Sequence, residues 1–158
     1  MDVEELMGGL AEIVGCGAIV PDENGVYRLD IDDMLVSFAE QKATGELLTM
    51  AEVGVPPPEG RERLYRALLE AAFLGEGTGG AAFSVDPESE SVCLHRADRL
   101  ADMDLERFRS GIERFVNVLE SWRNLLADFS EVAPAQENAD AEDKARERQC
   151  QADGFIKV

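Results

Sequence analysis

The chain has 158 residues, enough for one domain with a core of its own. Apolar residues make up 45% and charged residues 30%, and 33 acidic against 15 basic side chains leave a formal net charge of −18. A field of that sign repels nucleic-acid phosphates and anionic lipid, so neither is the expected partner; it favours solubility and a basic partner.

No apolar run approaches the roughly 20 residues that span a bilayer. The acidic start MDVEEL lacks the basic flank of a signal peptide, so the expected location is the cytoplasm. Three cysteines, an odd number with no C-x-x-C pair, give no support for disulfides or a cysteine zinc site. Cys16 and Cys93 stand among apolar residues and read as small core residues.

Val3 to Val14 reads as a helix, with Val3, Leu6, Leu10, Ile13 and Val14 at three- and four-residue spacing and Met7 broadening the apolar face. Asp2 and Glu5 have capping-box spacing, and Gly15 and Gly17 end the helix. From there the period becomes two. Val26 to Ile31, Met34 to Phe38 and the segment around Leu48 and Met50 alternate, separated by the turn compositions DENG, DD and KATG. Short connections imply an antiparallel three-strand meander, with Ala18 to Val20 a candidate fourth strand.

Pro56-Pro57-Pro58 stops the sheet, because proline donates no ladder hydrogen bond. A helix follows from about Glu59 to Leu74. Its second half, Ala67 to Leu74, is apolar almost all round, which in a small domain points to a subunit interface. Ala81 to Asp86 and Val92 to Arg96 form a strand pair, the second edge-like. A long helix, capped by Asp102 or Asp104, runs to Phe129 with Leu105, Phe108, Ile112, Phe115, Leu119, Trp122 and Leu126 in one stripe, roughly 39 Å long. The fold class is therefore α+β. Residues 1–129 form the domain, and the polar stretch 130–158 reads as a disordered acidic tail that holds at most a marginal helix from Ala139 to Gln149. Phe155 and Ile156 near its end could dock on the domain.

Few residues carry candidate chemistry. The glycines of GEGTGG, Gly75 to Gly80, resemble a phosphate loop, but they leave a helix and enter a strand, the reverse of what a phosphate loop needs. Carbonyl groups and Glu76 would face the phosphate there. The single histidine, His95, has no ligand neighbour in sequence, and Asp30, Asp32 and Asp33 fit a turn better than a calcium loop. No motif marks an enzyme, a metal site or a cofactor site. Leu35 and Leu47 fall on the face opposite the other meander hydrophobes, so the sheet needs cover on both faces. A partner segment lying beside a sheet edge would supply it.

The ordered set of elements, most specifically LLEAAFLGEGTGGAAFSVDPESESVCL (68–94) and ERFVNVLESWRNLL (113–126), resembles the class I type III secretion chaperones, the Tir-chaperone or CesT family. The resemblance covers about residues 1 to 129. Ala72 departs from it where an asparagine is expected. It implies a cytoplasmic bacterial homodimer that binds the N-terminal segment of a secreted effector in extended form, with no cofactor. The secretion ATPase would later release the segment. On that basis Leu6, Leu10, Ile13, Leu29, Leu35 and Leu48 are expected to form the effector groove, and Leu68, Leu69, Ala72, Phe73, Ala81 and Phe83 the dimer contact. Two rival expectations are a regulatory or adaptor dimer of similar fold that binds a folded partner, and a small hydrolase or nucleotide binder using His95 and the glycines.

Overall fold

A computed structural model of the chain describes residues 1–153, with side chains described through Phe129. Helix α1 occupies Val3–Val14. Its first turn is fixed by the expected capping box: the Asp2 carboxylate accepts from the Glu5 N–H at 2.8 Å, and the Asp2 N–H donates to Glu5 at 3.1 Å. Gly15, at φ 72°, closes the other end by donating to Ala11.

Three strands follow: β1 (Val26–Ile31), β2 (Met34–Gln41) and β3 (Glu46–Gly54). Asp32 and Asp33 both take positive φ, 49° and 62°, and together turn β1 into β2 with Ile31 opposite Met34. Two central residues at positive φ give the tight turn whose twist matches a hairpin, and aspartate tolerates that region better than most residues. The stretch 18–20 forms no strand. After the prolines come α2 (Arg61–Ala71), a 3-10 turn (Phe73–Gly75), β4 (Ala82–Val85), β5 (Val92–Arg99), a second 3-10 turn (Leu100–Asp102) and α3 (Leu105–Asp153).

The meander and the strand pair join into one antiparallel sheet of order β1-β2-β3-β5-β4. β5 is thus an interior strand, bonded to β3 and to β4, rather than the edge expected from the sequence. His95 accordingly sits mid-strand, between Met50 and Ala82. Helix α3 continues past Phe129 to Asp153, through a stretch read from sequence as tail. That stretch is rich in Ala, Glu, Lys, Arg and Gln, all strong helix formers. Phe155 and Ile156 lie outside the described residues.

One face of the sheet carries the core. Phe38, Val36, Leu47, Ala51, Val53, Val92 and Leu94 are buried there under α1 and α3, with Phe38 and Phe108 edge to face at 5.8 Å. The opposite face carries Leu35 and Met50, both exposed, and the half-buried Cys93. Cys93 is half-buried on that face and Cys16 is exposed, so neither is the core residue expected from its apolar neighbours. For Cys93 the reason is register: it stands opposite Glu52 on β3, one position out of phase with Val92 and Leu94.

Two adjacent glycines of α1 have opposite roles. A Cβ on Gly8 would meet nothing within 4 Å, whereas one on Gly9 would lie 2.5 Å from Leu105 Cδ1 of α3. Gly8→Ala should therefore raise stability by about 0.5–1 kcal/mol. Gly9→Ala should be less stable than Gly8→Ala, because Leu105 must move. Urea unfolding of the two variants checks this; equal stabilities would contradict the close contact between α1 and α3.

Candidate functional site

β1 forms a free edge of the sheet. Its first residue is held by its own loop: the Val26 N–H donates to the Asp22 carboxylate at 3.0 Å, and the Val26 carbonyl accepts from the Asp22 N–H at 2.9 Å. The main-chain groups of Val26 therefore point away from β2. Because direction alternates along a strand, those of Arg28 and Asp30 point the same way, toward an unfilled edge. Asp22 also pairs with Arg28. The hydrogen bond from Val26, then that from Arg28, holds the Asp22 carboxyl below the usual carboxylate range.

Beside this edge a cleft of about 800 Å³ opens between the start of α1 and β1, lined by Asp2, Val3, Glu4, Tyr27, Glu40 and Lys42 together with Pro21, Asn24 and Gly25 of the Asp22 loop. Burial pushes the Tyr27 phenol up, and the carboxylates of Glu4, Glu40 and Asp2 push it further. The first sixty residues are strongly acidic: Arg28 and Lys42 are the only basic residues before Arg61, against thirteen carboxylates.

A second surface lies on α2. Only Leu64 and Leu68 of this helix are buried. Leu69 is 72% exposed, Phe73 70% and Leu74 80%. Leu69 and Phe73, with Tyr65, line an open apolar groove of about 710 Å³ flanked by Glu62, Arg66 and Glu70. The glycine loop that follows is anchored to α3: the Trp122 indole N–H donates to the Gly77 carbonyl at 2.9 Å, and Phe83 stacks edge to face on Trp122 at 5.0 Å. A Cβ on Gly77 would sit 2.8 Å from the Ala71 carbonyl oxygen, so only glycine allows the loop to fold back on the end of α2.

The residues expected to form one effector groove are divided by the structure. Leu6, Leu10 and Leu29 are core. Ile13 is exposed at the end of α1, while Leu35 (50% exposed) and the half-buried Leu48 lie on the outer sheet face. Leu35 joins Ser37, Met50, Cys93 and Arg123 around a smaller cleft of about 390 Å³ there. The expected dimer set divides as well. Leu69 and Phe73 are on the exposed stripe and Ala72 is half-buried, whereas Leu68 and Ala81 are buried and Phe83 is held by Trp122. Periodicity identified these residues as apolar but could not show which would be covered. Tyr27, Glu40 and Tyr65 were missed; their only signal was position, Tyr27 and Glu40 in register on the α1 side of the sheet and Tyr65 four residues before Leu69.

His95 Nδ1 is 3.2 Å from the Ser84 hydroxyl on the outer sheet face. Among the described residues, no group of three His, Cys, Asp or Glu side chains could hold a metal ion. No helix among them is long and apolar enough to cross a membrane.

Residues 5–123 match the Tir chaperone protein (CesT) family, and the chain belongs to that family. It is 29% identical over 122 residues to the Chlamydia pneumoniae protein CPj0713/CpB0740, covering 76% of this chain and 92% of that protein. Among solved structures it is similar to a chain of the ExsC–ExsE complex (TM-score 0.66, 23% identity, 80% of this chain and 97% of that one). It is likewise similar to a chain of the HopA1–SchA chaperone–effector complex (0.64, 15%, 76% and 91%). A third similar structure is that of the Yersinia pestis type III secretion chaperone SycH with a fragment of YscM2 (0.59, 19%, 75% and 98%). These structures share the α+β fold, with its helix, five-stranded antiparallel sheet and long final helix.

The Asp22 loop generates a pH prediction. A carboxyl whose pKa is lowered by folding contributes fully above its unfolded value of about 3.9 and loses that contribution as pH falls through the lower folded value. Hydrogen-exchange protection of the Val26 amide, after correction for intrinsic rates, should hold at pH 5 and fall only below about pH 4. Asp22→Ala should abolish it at every pH. Unchanged protection in Asp22→Ala would show that the loop does not close this part of the edge.

Proposed function

We propose that this chain is a type III secretion chaperone that binds the N-terminal segment of a cognate effector in extended form and keeps it competent for secretion. The observation that carries the reading is the family match over residues 5–123, which runs from α1 to the Trp122 turn of α3. The task needs no catalytic group, cofactor, nucleic acid or membrane insertion, and suits the bacterial cytoplasm. The similar HopA1–SchA structure is a chaperone–effector complex, which supports the same kind of partner here. The open β1 edge supports main-chain pairing with an extended segment, and the exposed Leu35 and Ile13 with the half-buried Leu48 supply apolar contacts. Leu6, Leu10 and Leu29 lie in the core and take no direct part in those contacts. In this reading the secretion ATPase is the downstream partner that strips the segment away.

The working unit is a homodimer closed through α2. Tyr65, Leu69 and Phe73 lie on one helix face, and a two-fold axis would bury each stripe against its copy. Single exposed leucines are ordinary, but a contiguous stripe ending in a phenylalanine and another leucine marks an interaction surface.

Light scattering at micromolar concentration should give twice the chain mass of 17.3 kDa for the wild type. Leu69→Asp with Phe73→Asp should give one chain mass with the circular dichroism spectrum retained. A wild type that stays monomeric removes the dimer from the proposal. For the effector contact, Leu35→Asp is the informative substitution, because Leu35 is half exposed and its loss spares the core. Leu10→Asp should unfold the chain instead, since Leu10 is buried. Leu35→Asp is expected to weaken capture of the co-purifying effector by about tenfold, on the order of the burial of one leucine. Undiminished capture would place the effector elsewhere. Limited proteolysis of the co-purified complex should protect an extended stretch near the effector's N-terminus; protection of a compact folded domain would instead favour an adaptor.

A further inference from the structure

The cleft beside β1 has features that a merely solvated acidic surface lacks. Tyr27 is 8% exposed and lines the cleft. Val3 and the Tyr27 ring supply an apolar wall, and Asp2, Glu4 and Glu40 place three carboxylates around it against the single ammonium of Lys42. The Asp2 and Glu5 side chains are committed to capping α1, but Glu4 and Glu40 have no ion-pair partner among the described residues. The cleft adjoins the edge at which Arg28 and Asp30 present unpaired main-chain groups. A strand added at that edge would turn every second side chain toward the α1 side of the sheet, where the cleft lies. A long cationic side chain fits such a place: its aliphatic stem lies on Val3 and Tyr27 while its charged head reaches the carboxylates. The absence of a three-ligand cluster among the described residues argues for an organic cation rather than a metal ion.

We propose that the segment bound at the β1 edge is basic, and that this cleft selects a lysine or arginine of that segment by holding it between Tyr27, Glu4 and Glu40. The inference rests on the chaperone reading and specifies its partner. Charge complementarity of this kind sets specificity and association rate more than raw affinity, so it discriminates between extended segments that pair equally well through their main chains.

The test uses the full 158-residue chain, isotopically labelled, and three synthetic peptides with blocked ends: Val-Lys-Val-Lys-Val-Thr and its versions with glutamine or glutamate in place of both lysines. The lysine peptide should shift the amide resonances of Arg28 and Asp30 and the ring resonances of Tyr27. It should bind about tenfold more tightly than the glutamine peptide at roughly 50 mM salt, and the gap should shrink at about 0.5 M salt. The glutamate peptide should bind most weakly. Glu4→Gln with Glu40→Gln, neutral replacements that keep side-chain size, should erase the gap between lysine and glutamine peptides while β1 still responds to both. If both peptides shift β1 with equal affinity, or the gap survives the double substitution, the cationic selection is overturned and edge pairing stands. If no peptide shifts β1, edge pairing falls as well, and the selection with it.

Discussion

The structure depends on the packing of α3 across the core face of the sheet. Phe108, Ile112, Phe115, Val116, Leu119 and Leu126 are buried along one stripe of that helix. They cover β strands that come from both halves of the chain, since β5 lies between β3 and β4. The sheet itself is held by main-chain ladders, but a ladder does not choose a face. That choice comes from apolar area removed from water, about 25 cal/mol per Å². α1 completes the cover, and Gly9 brings it close enough to touch Leu105. Antiparallel sheets tolerate one wet face, so nothing in the chain's own fold needs to cover Leu35, Met50 or Cys93.

The same packing explains why α2 is available for a partner. This helix crosses from β3 to β4 and contributes only Leu64 and Leu68 to the core. Its return to the sheet is fixed on α3, where Trp122 holds the Gly77 carbonyl and Phe83. Gly77 lets the loop fold back over Ala71, and Leu74 takes φ 56°, a conformation unfavourable for leucine. That local cost turns the end of the helix sharply and leaves the Leu69–Phe73 stripe facing outward. The glycine-rich stretch is therefore a joint between an exposed helix and the β4–β5 pair, whose first strand is a sheet edge.

What the sequence made legible was local. The capping box at Asp2 and Glu5, the Asp32-Asp33 turn and the three strands of the meander are each set by neighbours within a few residues and appear where expected, but the facing of β3 is reversed: Leu47 is buried, while Leu48 and Met50 lie on the outer face. The insertion of β5 beside β3 was not legible, because pairing between residues such as Met50 and His95 depends on how α2 carries the chain across. The site was only half legible for a related reason. Alternation and helical spacing sort residues by face, yet they cannot say which apolar face the chain covers itself. Leu6, Leu10 and Leu29 went to the core, and Leu35 stayed out, although all four are leucines in amphipathic segments. The ordered set of motifs carried what local rules could not, and it pointed to the family that the chain joins.

An open sheet edge is a hazard for a protein that must stay soluble, because its unpaired groups accept any passing strand. The β1 edge meets that hazard with charge. Arg28 and Asp30 project from the outer face of the strand, the Asp22 loop closes off Val26, and carboxylates dominate the neighbouring cleft. Carboxylates outnumber cations around the cleft, so an acidic strand is disfavoured beside β1. A strand of opposite charge meets no such barrier. On the proposed reading, the acidic character that first excluded nucleic acid and lipid acts locally as a filter that favours a basic strand at the edge.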